Sequence, residues 1–448
     1  MENRTERFLV WQEWLTNGKL LELKQELNEQ NPADLAAFLE ELPKEDWLAV
    51  FRLLSKDLAA DTFSYMDSDM QQHIVEALTE GESRFLLEEM APDDTVDFLS
   101  EMPANLVTHL LNGVAPEKRQ ELNRLLNYPE DSAGSLMTTE FVSLREAETV
   151  GEALAYLRQV AADKETIYQC YVVKDGRILV GVISLRSLLL SQDTDVLSDI
   201  MEDDVVSVST LDDQEEVAAV FKKYDLIAVP VVDNENRLVG MITIDDMVDV
   251  MEEENTEDME KMSALIPSEE EYLKSSVWDL AKHRLMWLMV LMISGTVSSA
   301  IITGYESVLA SSVILSSFFP ILMDTGGNAG SQSSTLIIRG MAVGEIQMKD
   351  VLKVVWKEIR VGVVAGALLA VVNFARLALF HTALMVNLTV SVSLFATVIV
   401  SKTIGSLLPM AAKKLNFDPA IMAGPLITTV VDATSLMIFF HIAKVLVL

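Results

Sequence analysis

The chain has 448 residues, enough for several domains, and a formal net charge of −34. The charge is divided unevenly: residues 1–280 carry 61 acidic and 22 basic residues, whereas residues 281–448 carry 7 and 12. Such an acidic surplus repels a phosphate backbone and therefore argues against nucleic acid as a partner. An acidic part followed by an apolar part is typical of a membrane protein with a large polar domain.

The cellular compartment can also be inferred. The first residues contain no apolar segment typical of a signal peptide, so we expect the acidic half to stay in the cytoplasm. Cys170 is the only cysteine, which excludes an internal disulfide and fits a reducing compartment. The acidity attracts cations, although solubility alone also explains it.

Residues 1–130 have a helical pattern. Similar segments recur there: ADLAAFLEELP at 33–43, DLAADTFSYMD at 57–67 and DDTVDFLSEMP at 93–103. Proline and acid-rich starts separate short amphipathic helices. Repetition of this kind predicts stacked helical hairpins that form a small superhelical N-terminal domain.

Residues 131–252 contain an internal repeat. LVGVISLRSLL at 179–189 matches LVGMITIDDMV at 238–248, at an offset of 59 residues. Before each lies an alternating apolar run that predicts strand, turn and strand, and before that an amphipathic helical segment. This pattern resembles a tandem pair of cystathionine-β-synthase (CBS) domains, an α/β module that regulates channels and transporters by binding small ligands. We place the two domains at 131–195 and 196–252.

A strongly acidic segment follows the repeat. Nine acidic residues and no basic residue lie between Asp245 and Glu260. We predict an acidic connecting helix over 253–280. A solvated linker is the simpler interpretation, but a cation that neutralised these charges would change how the helix packs.

Residues 281–448 contain five apolar stretches, near 285–305, 308–338, 354–380, 386–411 and 419–447, each long enough to cross a bilayer as a helix. Basic residues cluster before the first stretch, after the second and between the last two. Because positively charged loops stay on the cytoplasmic side, this pattern places the N-terminus inside the cell. We therefore predict a transmembrane domain of five α-helices over 281–448 in the plasma membrane.

One carboxylate, Asp432, lies near the middle of the last apolar stretch. Ionisable residues at this depth are costly and usually face a bundle interior or a water-filled path. A structural hydrogen bond to a neighbouring helix is the alternative. Asp324 lies nearer an end of its stretch, so we expect it to be solvated.

The second apolar stretch contains FFPILMDTGGNAGSQSSTLIIRG at 318–340. Its glycines let helices approach closely, Pro320 can free backbone carbonyls, and Asn328 supplies a neutral oxygen. Plain helix packing is the alternative, but packing does not require the amide. Mg²⁺ keeps several waters and needs only one or two carboxylates, so a hydrated Mg²⁺ suits this set of groups. Two chains on a symmetry axis would double the charge around a pore.

Taken together, these parts resemble the MgtE family of Mg²⁺ transporters or channels over essentially the full length. The most specific markers are the stretch at 318–340 and DPAIMAGPLITTVVDATSL at 418–436. The resemblance implies a homodimer in the lipid bilayer, with Mg²⁺ passing through a pore along the dimer axis. It also implies that Asp432 is the pore carboxylate and that backbone carbonyls around Thr428, Thr429 and Ala433 contribute to the pore lining through water. Asn328, with its neutral oxygen, is a further candidate for the lining.

The resemblance further implies that cytosolic Mg²⁺ closes the pore by bridging acidic groups. The matching candidates are Asp93, Asp94, Asp97, Asp246, Asp249, Glu254, Glu257 and Asp258. Some members bind ATP in the CBS cleft, and Thr243 with Asp246 matches the hydroxyl-and-carboxylate pattern that holds a ribose. The chain has no Walker glycine–lysine loop, so we expect no ATP hydrolysis.

Other functions are weighed against this one. A coupled carrier or an exporter of divalent cations remains open, because sequence does not set the direction of transport. A membrane-anchored Mg²⁺ sensor that conducts nothing is disfavoured, because it would need neither Asp432 nor a glycine-broken span. An enzyme is least favoured, since the spans contain no nucleophile–base pair and no metal cluster of catalytic type.

Overall fold

The structure is a computed structural model that describes residues 2–268, 272–273 and 275–447. It divides into two compact units, Met1–Met251 and Glu252–Leu448.

The first unit begins with short helices. Their bounds are α1 (Glu2–Thr16), α2 (Leu20–Leu27), α3 (Pro32–Glu40), α4 (Lys44–Phe51), α5 (Lys56–Ser64), α6 (Ser68–Ala77), α7 (Glu80–Glu89), α8 (Pro92–Glu101), α9 (Ala104–Gly113) and α10 (Pro116–Leu125). Alternate helices contact each other: α3 packs on α5, α5 on α7 and α7 on α9. The observed stack is the arrangement that the sequence repeats predict.

Polar residues set where these helices begin. The Asn31 side chain accepts a hydrogen bond from the amide of Ala33 at the start of α3, and Asp67 caps α6 in a similar way. Thr79 and Glu82 form a reciprocal capping box at α7. The polar segment starts in the sequence are therefore helix caps, and the apolar faces behind them form one buried core.

The CBS repeat follows. Its elements are α11 (Ala133–Leu136), β1 (Val142–Arg145), α12 (Val150–Val160), β2 (Gln169–Val173), β3 (Leu179–Ser184), α13 (Leu185–Leu190), α14 (Leu197–Ile200), β4 (Val208–Ser209), α15 (Gln214–Tyr224), β5 (Ala228–Val232), β6 (Leu238–Thr243) and α16 (Ile244–Met262). Each half forms a three-stranded sheet, in the orders β1-β2-β3 and β4-β5-β6. In both sheets the first pair of strands is parallel and the second antiparallel.

The matched glycines of the repeat have the same packing role in both halves. A Cβ atom on Gly181 would lie 2.5 Å from the sulfur of Met201, and a Cβ atom on Gly240 would lie 2.5 Å from the sulfur of Met137. Any larger residue at either glycine would displace the methionine that lies against the strand. The 59-residue repeat seen in the sequence thus preserves a steric requirement.

The connecting segment differs from the predicted helix over 253–280. α16 begins earlier, at Ile244, and ends at Met262. The amide of Leu265 donates to the Glu260 carbonyl, that of Ala264 donates to the Lys261 carbonyl, and Ala264 has a φ of 55°. These two bonds and a left-handed residue form a Schellman helix end. Residues 269–271 and 274 of the segment lie outside the described residues.

The second unit is built from long helices. These are α17 (Val277–Gly304), α18 (Glu306–Ser311), α19 (Phe319–Ala342), α20 (Val351–Leu379), α21 (Leu384–Lys414) and α22 (Gly424–Leu446). α19 packs on α21 and α22, and α20 packs on α21. Across α17 no residue is buried within the described chain.

Four stretches in the described chain are helical, long and apolar enough to cross a membrane: Val277–Gly304, Met348–Leu379, Leu384–Lys414 and Ala420–Leu446. α19 is not among them, because its Asp, Asn, Gln and Arg side chains reduce its apolar character. The predicted span at 308–338 is interrupted by α18 and a 3₁₀ helix at Val313–Phe318. Four such helices are typical of a multi-pass membrane protein, and the fifth span remains a prediction.

Candidate functional site

The predicted pore residues lie on two neighbouring helices of the second unit, α19 and α22. Asp432 is half-buried on α22. The carboxylate of Asp324 on α19 is near enough to repel that of Asp432, and the Asn328 amide donates a 3.2 Å hydrogen bond to Asp324. Asp324, expected only to be solvated, therefore belongs to the same group. Its four-residue spacing from Asn328 was the available sequence signal, because residues four apart share a helix face.

The two threonines lie in the first turns of α22. The hydroxyls of Thr428 and Thr429 both donate to the carbonyl of Pro425, over 2.8 and 2.9 Å. Each hydroxyl hydrogen is thus used within the helix, and the remaining lone pairs are acceptors only. A Cβ atom on Gly327 would lie 3.1 Å from Thr428, so α19 and α22 are in close contact here. Ala433, beside Asp432, is half-buried.

We call Asp324, Asn328, Thr428, Thr429 and Asp432 the polar face of the second unit. Asp324 and Asn328 are exposed on the single chain, and the other three are half-buried. Within the described residues, no three or more His, Cys, Asp and Glu side chains cluster closely enough to hold a metal ion. The polar face can therefore attract a hydrated cation, but it is not a closed site that would strip and trap the ion.

A second group of carboxylates lies in the first unit. Asp93 and Asp94 occupy the first turn of α8, and Asp245 and Asp246 occupy the first turn of α16. Together with Glu165 we call these residues the first acidic cluster. The cluster brings together three of the predicted sensing residues, and Asp97 and Asp249 lie close enough to repel its members. Glu165 and Asp245 were not predicted; Glu165 lies in a loop after α12, where no local pattern marks it.

Burial dominates the electrostatics of the first acidic cluster. It raises the pKa of Asp93 well above its ordinary value, and repulsion from Asp246 adds to the effect. Burial followed by neighbouring carboxylates raises the pKa of Asp94 to about 6 and that of Glu165 to about 7. Burial also raises the pKa of Asp246 to about 6, although a hydrogen bond from Thr243 opposes it. A cation would relieve this unfavourable concentration of charge.

An unsatisfied hydrogen-bond acceptor in the first acidic cluster also favours a bound cation. One carboxylate oxygen of Asp93 is buried and accepts no hydrogen bond from the described chain. A buried charged oxygen without a partner is costly. A proton or a hydrated cation would satisfy it.

The remaining predicted sensing residues lie at the end of α16, in the second unit. Here Lys261 places its ammonium 2.6 Å from Glu257 and 2.8 Å from Asp418, which lies in the loop before α22. Burial raises the pKa of Asp258, repulsion from Asp418 adds to it, and Glu254 contributes further. We call the four carboxylates Glu254, Glu257, Asp258 and Asp418 the second acidic cluster. Lys261 already supplies one positive charge there, a partner that the predicted list of acids did not include.

The predicted nucleotide pair has a structural role in this chain. The Thr243 hydroxyl donates a 2.6 Å hydrogen bond to Asp246, whose carboxylate also accepts from the Thr243 amide. Since Thr243 immediately precedes α16, the two residues form a helix cap. Ser184 caps α13 in the first CBS half by accepting from the amide of Ser187. The hydroxyl-and-carboxylate pattern is thus explained without a nucleotide.

Comparison with known proteins bears on the whole chain. Residues 30–131 match the MgtE intracellular N domain, residues 133–192 and 197–253 match the CBS domain, and residues 319–442 match the divalent cation transporter domain MgtE. The magnesium transporter MgtE of Thermus thermophilus is 38% identical over 439 residues, which cover 97% of this chain and 97% of that protein. The chain belongs to the MgtE family. The MgtE magnesium transporter of Bacillus subtilis is 32% identical over 429 residues, covering 96% of this chain and 95% of that protein.

Solved structures resemble the soluble part of this MgtE protein. The cytosolic domain of the Mg²⁺ channel MgtE in complex with ATP is 41% identical, with a TM-score of 0.52, and covers 54% of this chain and 99% of its own. The soluble part of a magnesium transporter is 34% identical, with a TM-score of 0.53, and covers 56% and 99%. The family resemblance, the CBS pair and the prediction that the protein is not an enzyme are confirmed, since the MgtE relatives are magnesium transporters.

Proposed function

We propose that this MgtE protein is a homodimeric Mg²⁺ channel of the plasma membrane that mediates Mg²⁺ uptake and is closed by cytosolic Mg²⁺. Its full-length relatives, which are magnesium transporters, support Mg²⁺ as the transported ion. The observation that carries the pore assignment is the polar face, where Asn328 is hydrogen-bonded to Asp324 on α19 and the Asp324 carboxylate repels that of Asp432 on the adjacent α22. A negative inside potential favours inward flow of a cation through such a path.

The polar face also supports the homodimer. Asp324 and Asn328 are exposed on the single chain, although α19 packs against two helices that are apolar enough to cross a membrane, α21 and α22. Polar groups at that depth are costly unless they face water or a partner. A second copy placed on a two-fold axis would cover both faces and surround the ion with four carboxylates. Neutral oxygens from Thr428 and Thr429 would contact its water shell.

Closure by Mg²⁺ is supported by the two acidic clusters. At cytosolic pH, divalent cations bound among Asp94, Glu165 and Asp246 would offset their repulsion, so the conformation that holds these groups together binds Mg²⁺ more tightly. A tenfold change in the open population needs about 1.4 kcal/mol of such preferential binding. Several weak sites can supply that amount.

ATP is a further proposed regulatory ligand. The support is a solved relative, the cytosolic domain of an MgtE channel bound to ATP, which is 41% identical to this chain. The ribose would contact Thr243 and Asp246, so nucleotide binding would compete with their mutual hydrogen bond. ATP binding and the charge of the first acidic cluster would therefore be linked through Asp246.

Uptake by purified protein in liposomes tests the pore. We expect Asp432→Asn to abolish Mg²⁺ uptake, because the substitution removes the carboxylate but keeps the size of the side chain. Glu345→Gln, on an exposed loop of the same unit, is the matched control and should transport normally. Normal uptake by Asp432→Asn would overturn the pore assignment.

Two further measurements test the other parts of the proposal. Asn328→Cys in a Cys170→Ala background leaves one cysteine on the polar face, and a disulfide-linked dimer should form under mild oxidation. In excised membrane patches the channel current should fall as Mg²⁺ on the cytosolic side is raised. The double variant Asp94→Asn with Asp246→Asn should need a higher Mg²⁺ concentration for the same fall in current. Currents that ignore internal Mg²⁺ in the unmodified protein would exclude the gating role.

A further inference from the structure

A chain of buried polar side chains joins three helices of the second unit. Lys402 on α21 donates a 3.3 Å hydrogen bond to the Ser333 hydroxyl on α19, and Ser333 donates a 2.6 Å hydrogen bond to the Glu358 carboxylate on α20. Ser333 is fully buried, and Glu358 and Lys402 are 9% and 8% exposed. We call these three residues the polar bridge. It lies outside the polar face and both acidic clusters.

The polar bridge is not needed to bring α20 and α21 together. α20 and α21 already meet at glycines: a Cβ atom on Gly362 would lie 3.0 Å from the Cα of Ile399, and one on Gly366 would lie 3.1 Å from the carbonyl oxygen of Phe395. Small residues of this kind suffice for close helix packing in a membrane. Burying an acid and a base costs desolvation free energy that glycine packing avoids, so we expect the bridge to do more than hold two helices together.

That effect concerns α19. Between the bridge and the polar face, Gly330 on α19 lies against the Ser401 carbonyl of α21 and the Ile427 side chain of α22. A glycine has no side chain, so these contacts hold α19 close to α21 and α22 without a directional bond that fixes its rotation. Ser333 lies one turn further along and is hydrogen-bonded to both α20 and α21. Two hydrogen bonds to two different helices fix both the rotation of α19 about its axis and its position along that axis.

The position of α19 determines the polar face. Asn328 precedes Ser333 by five residues, or about 7.5 Å along the helix axis. Both residues belong to one uninterrupted helix, so a rotation at Ser333 is transmitted to Asn328 and Asp324. Asp432 lies on a different helix, α22, whereas the hydrogen bonds of the bridge join α19, α20 and α21.

We propose that the bridge of Ser333, Glu358 and Lys402 is a positioning group for ion permeation, which holds Asp324 and Asn328 in line with Asp432 and so tunes the choice between Mg²⁺ and larger divalent cations. This inference rests on the proposed pore. The three bridge residues do not touch the ion. They act through the orientation of α19.

The test uses the full-length protein in liposomes and compares Mg²⁺ with Ca²⁺ uptake. Ser333→Ala keeps both charges and removes the link, and we expect at least a fivefold fall in the Mg²⁺ to Ca²⁺ uptake ratio. Ser334→Ala is the matched control: the neighbouring hydroxyl is equally buried and makes no hydrogen bond within the described residues, so its loss should leave the ratio unchanged. Ser333→Thr, which keeps a hydroxyl, should restore the ratio in part.

Two further arms separate positioning from simple stability. The double variant Glu358→Gln with Lys402→Met removes both charges and leaves no buried charge unpaired. It should therefore give more folded protein than either single variant, while its Mg²⁺ to Ca²⁺ uptake ratio should stay as low as that of Ser333→Ala. The labelling rate of Asn328→Cys, in a Cys170→Ala background, by a water-soluble thiol reagent should change at least threefold on adding Ser333→Ala. An unchanged ratio and labelling rate, with Asp432→Asn still inactive, would overturn the bridge alone; an active Asp432→Asn would overturn the pore itself.

Discussion

An alanine at Gly405 tests the closest approach of α19 and α21. A Cβ atom there would overlap the carbonyl oxygen of Gly330 and lie 2.9 and 3.0 Å from the Gly330 carbonyl carbon and Cα. Carbon atoms prefer to be about 3.5–4.0 Å apart, so the helices must separate by roughly 0.5–1 Å. Overpacking of this kind costs about 1–3 kcal/mol, and the better helix propensity of alanine returns only about 0.5–1 kcal/mol. The net effect is a destabilisation of up to about 2.5 kcal/mol.

The assay is thermal unfolding of purified protein in detergent, followed by Mg²⁺ uptake in liposomes. We expect Gly405→Ala to lower the apparent melting temperature by about 2–4 °C for each kcal/mol lost and to reduce uptake. Gly295→Ala on α17 is the control, because no atom lies within 4 Å of the added methyl group, and it should melt at or above the unmodified temperature. If both variants melt alike, α19 and α21 do not meet as described.

Three other predictions concern the first acidic cluster, the end of α16 and the Thr243 cap. Burial raises the pKa of Asp94 and Asp246 to about 6 and that of Glu165 to about 7. The folded state therefore binds protons more tightly than the unfolded state, in which these carboxylates have a pKa of about 4. The resulting stabilisation is complete below about pH 4 and is lost as pH rises through 6–7. The melting temperature of a fragment of residues 1–262 should therefore rise from pH 8 to pH 5, with Mg²⁺ helping more at pH 8, and a flat profile would contradict the cluster. Lys261→Met should lower the melting temperature of the whole protein by the equivalent of at most about 1 kcal/mol, because its ion pairs with Glu257 and Asp418 are partly exposed, and Mg²⁺ should restore the melting temperature. The control Lys282→Met, which breaks a well-exposed ion pair with Asp279, should leave the melting temperature unchanged. Thr243→Val should lower fragment stability by about 1 kcal/mol through loss of the cap and should also weaken ATP binding in calorimetry, whereas Ser184→Ala should affect stability alone; unchanged ATP affinity would remove Thr243 from the nucleotide site.

Periodic features of this chain could be predicted from sequence, and contacts between distant segments could not. The helical stack and the CBS sheets follow from repeats and caps that recur along the chain, such as Thr79 with Glu82. The end of α16 was not predictable in the same way, because Ala264 takes the left-handed conformation that glycine usually supplies. The site shows the same division. Asp432 stands out as a lone acid in an apolar stretch, whereas Asp418 and Glu165 acquire their roles only through folding.

The lack of buried residues along α17 has a further consequence for how the protein sits in a bilayer. Its 28 residues extend for about 42 Å, whereas the hydrocarbon layer is about 30 Å thick. Such a helix must tilt or carry its ends into the headgroup region. In the described chain little of its surface is covered by neighbouring helices, so we expect its tilt, and with it the protein's behaviour, to change with membrane thickness.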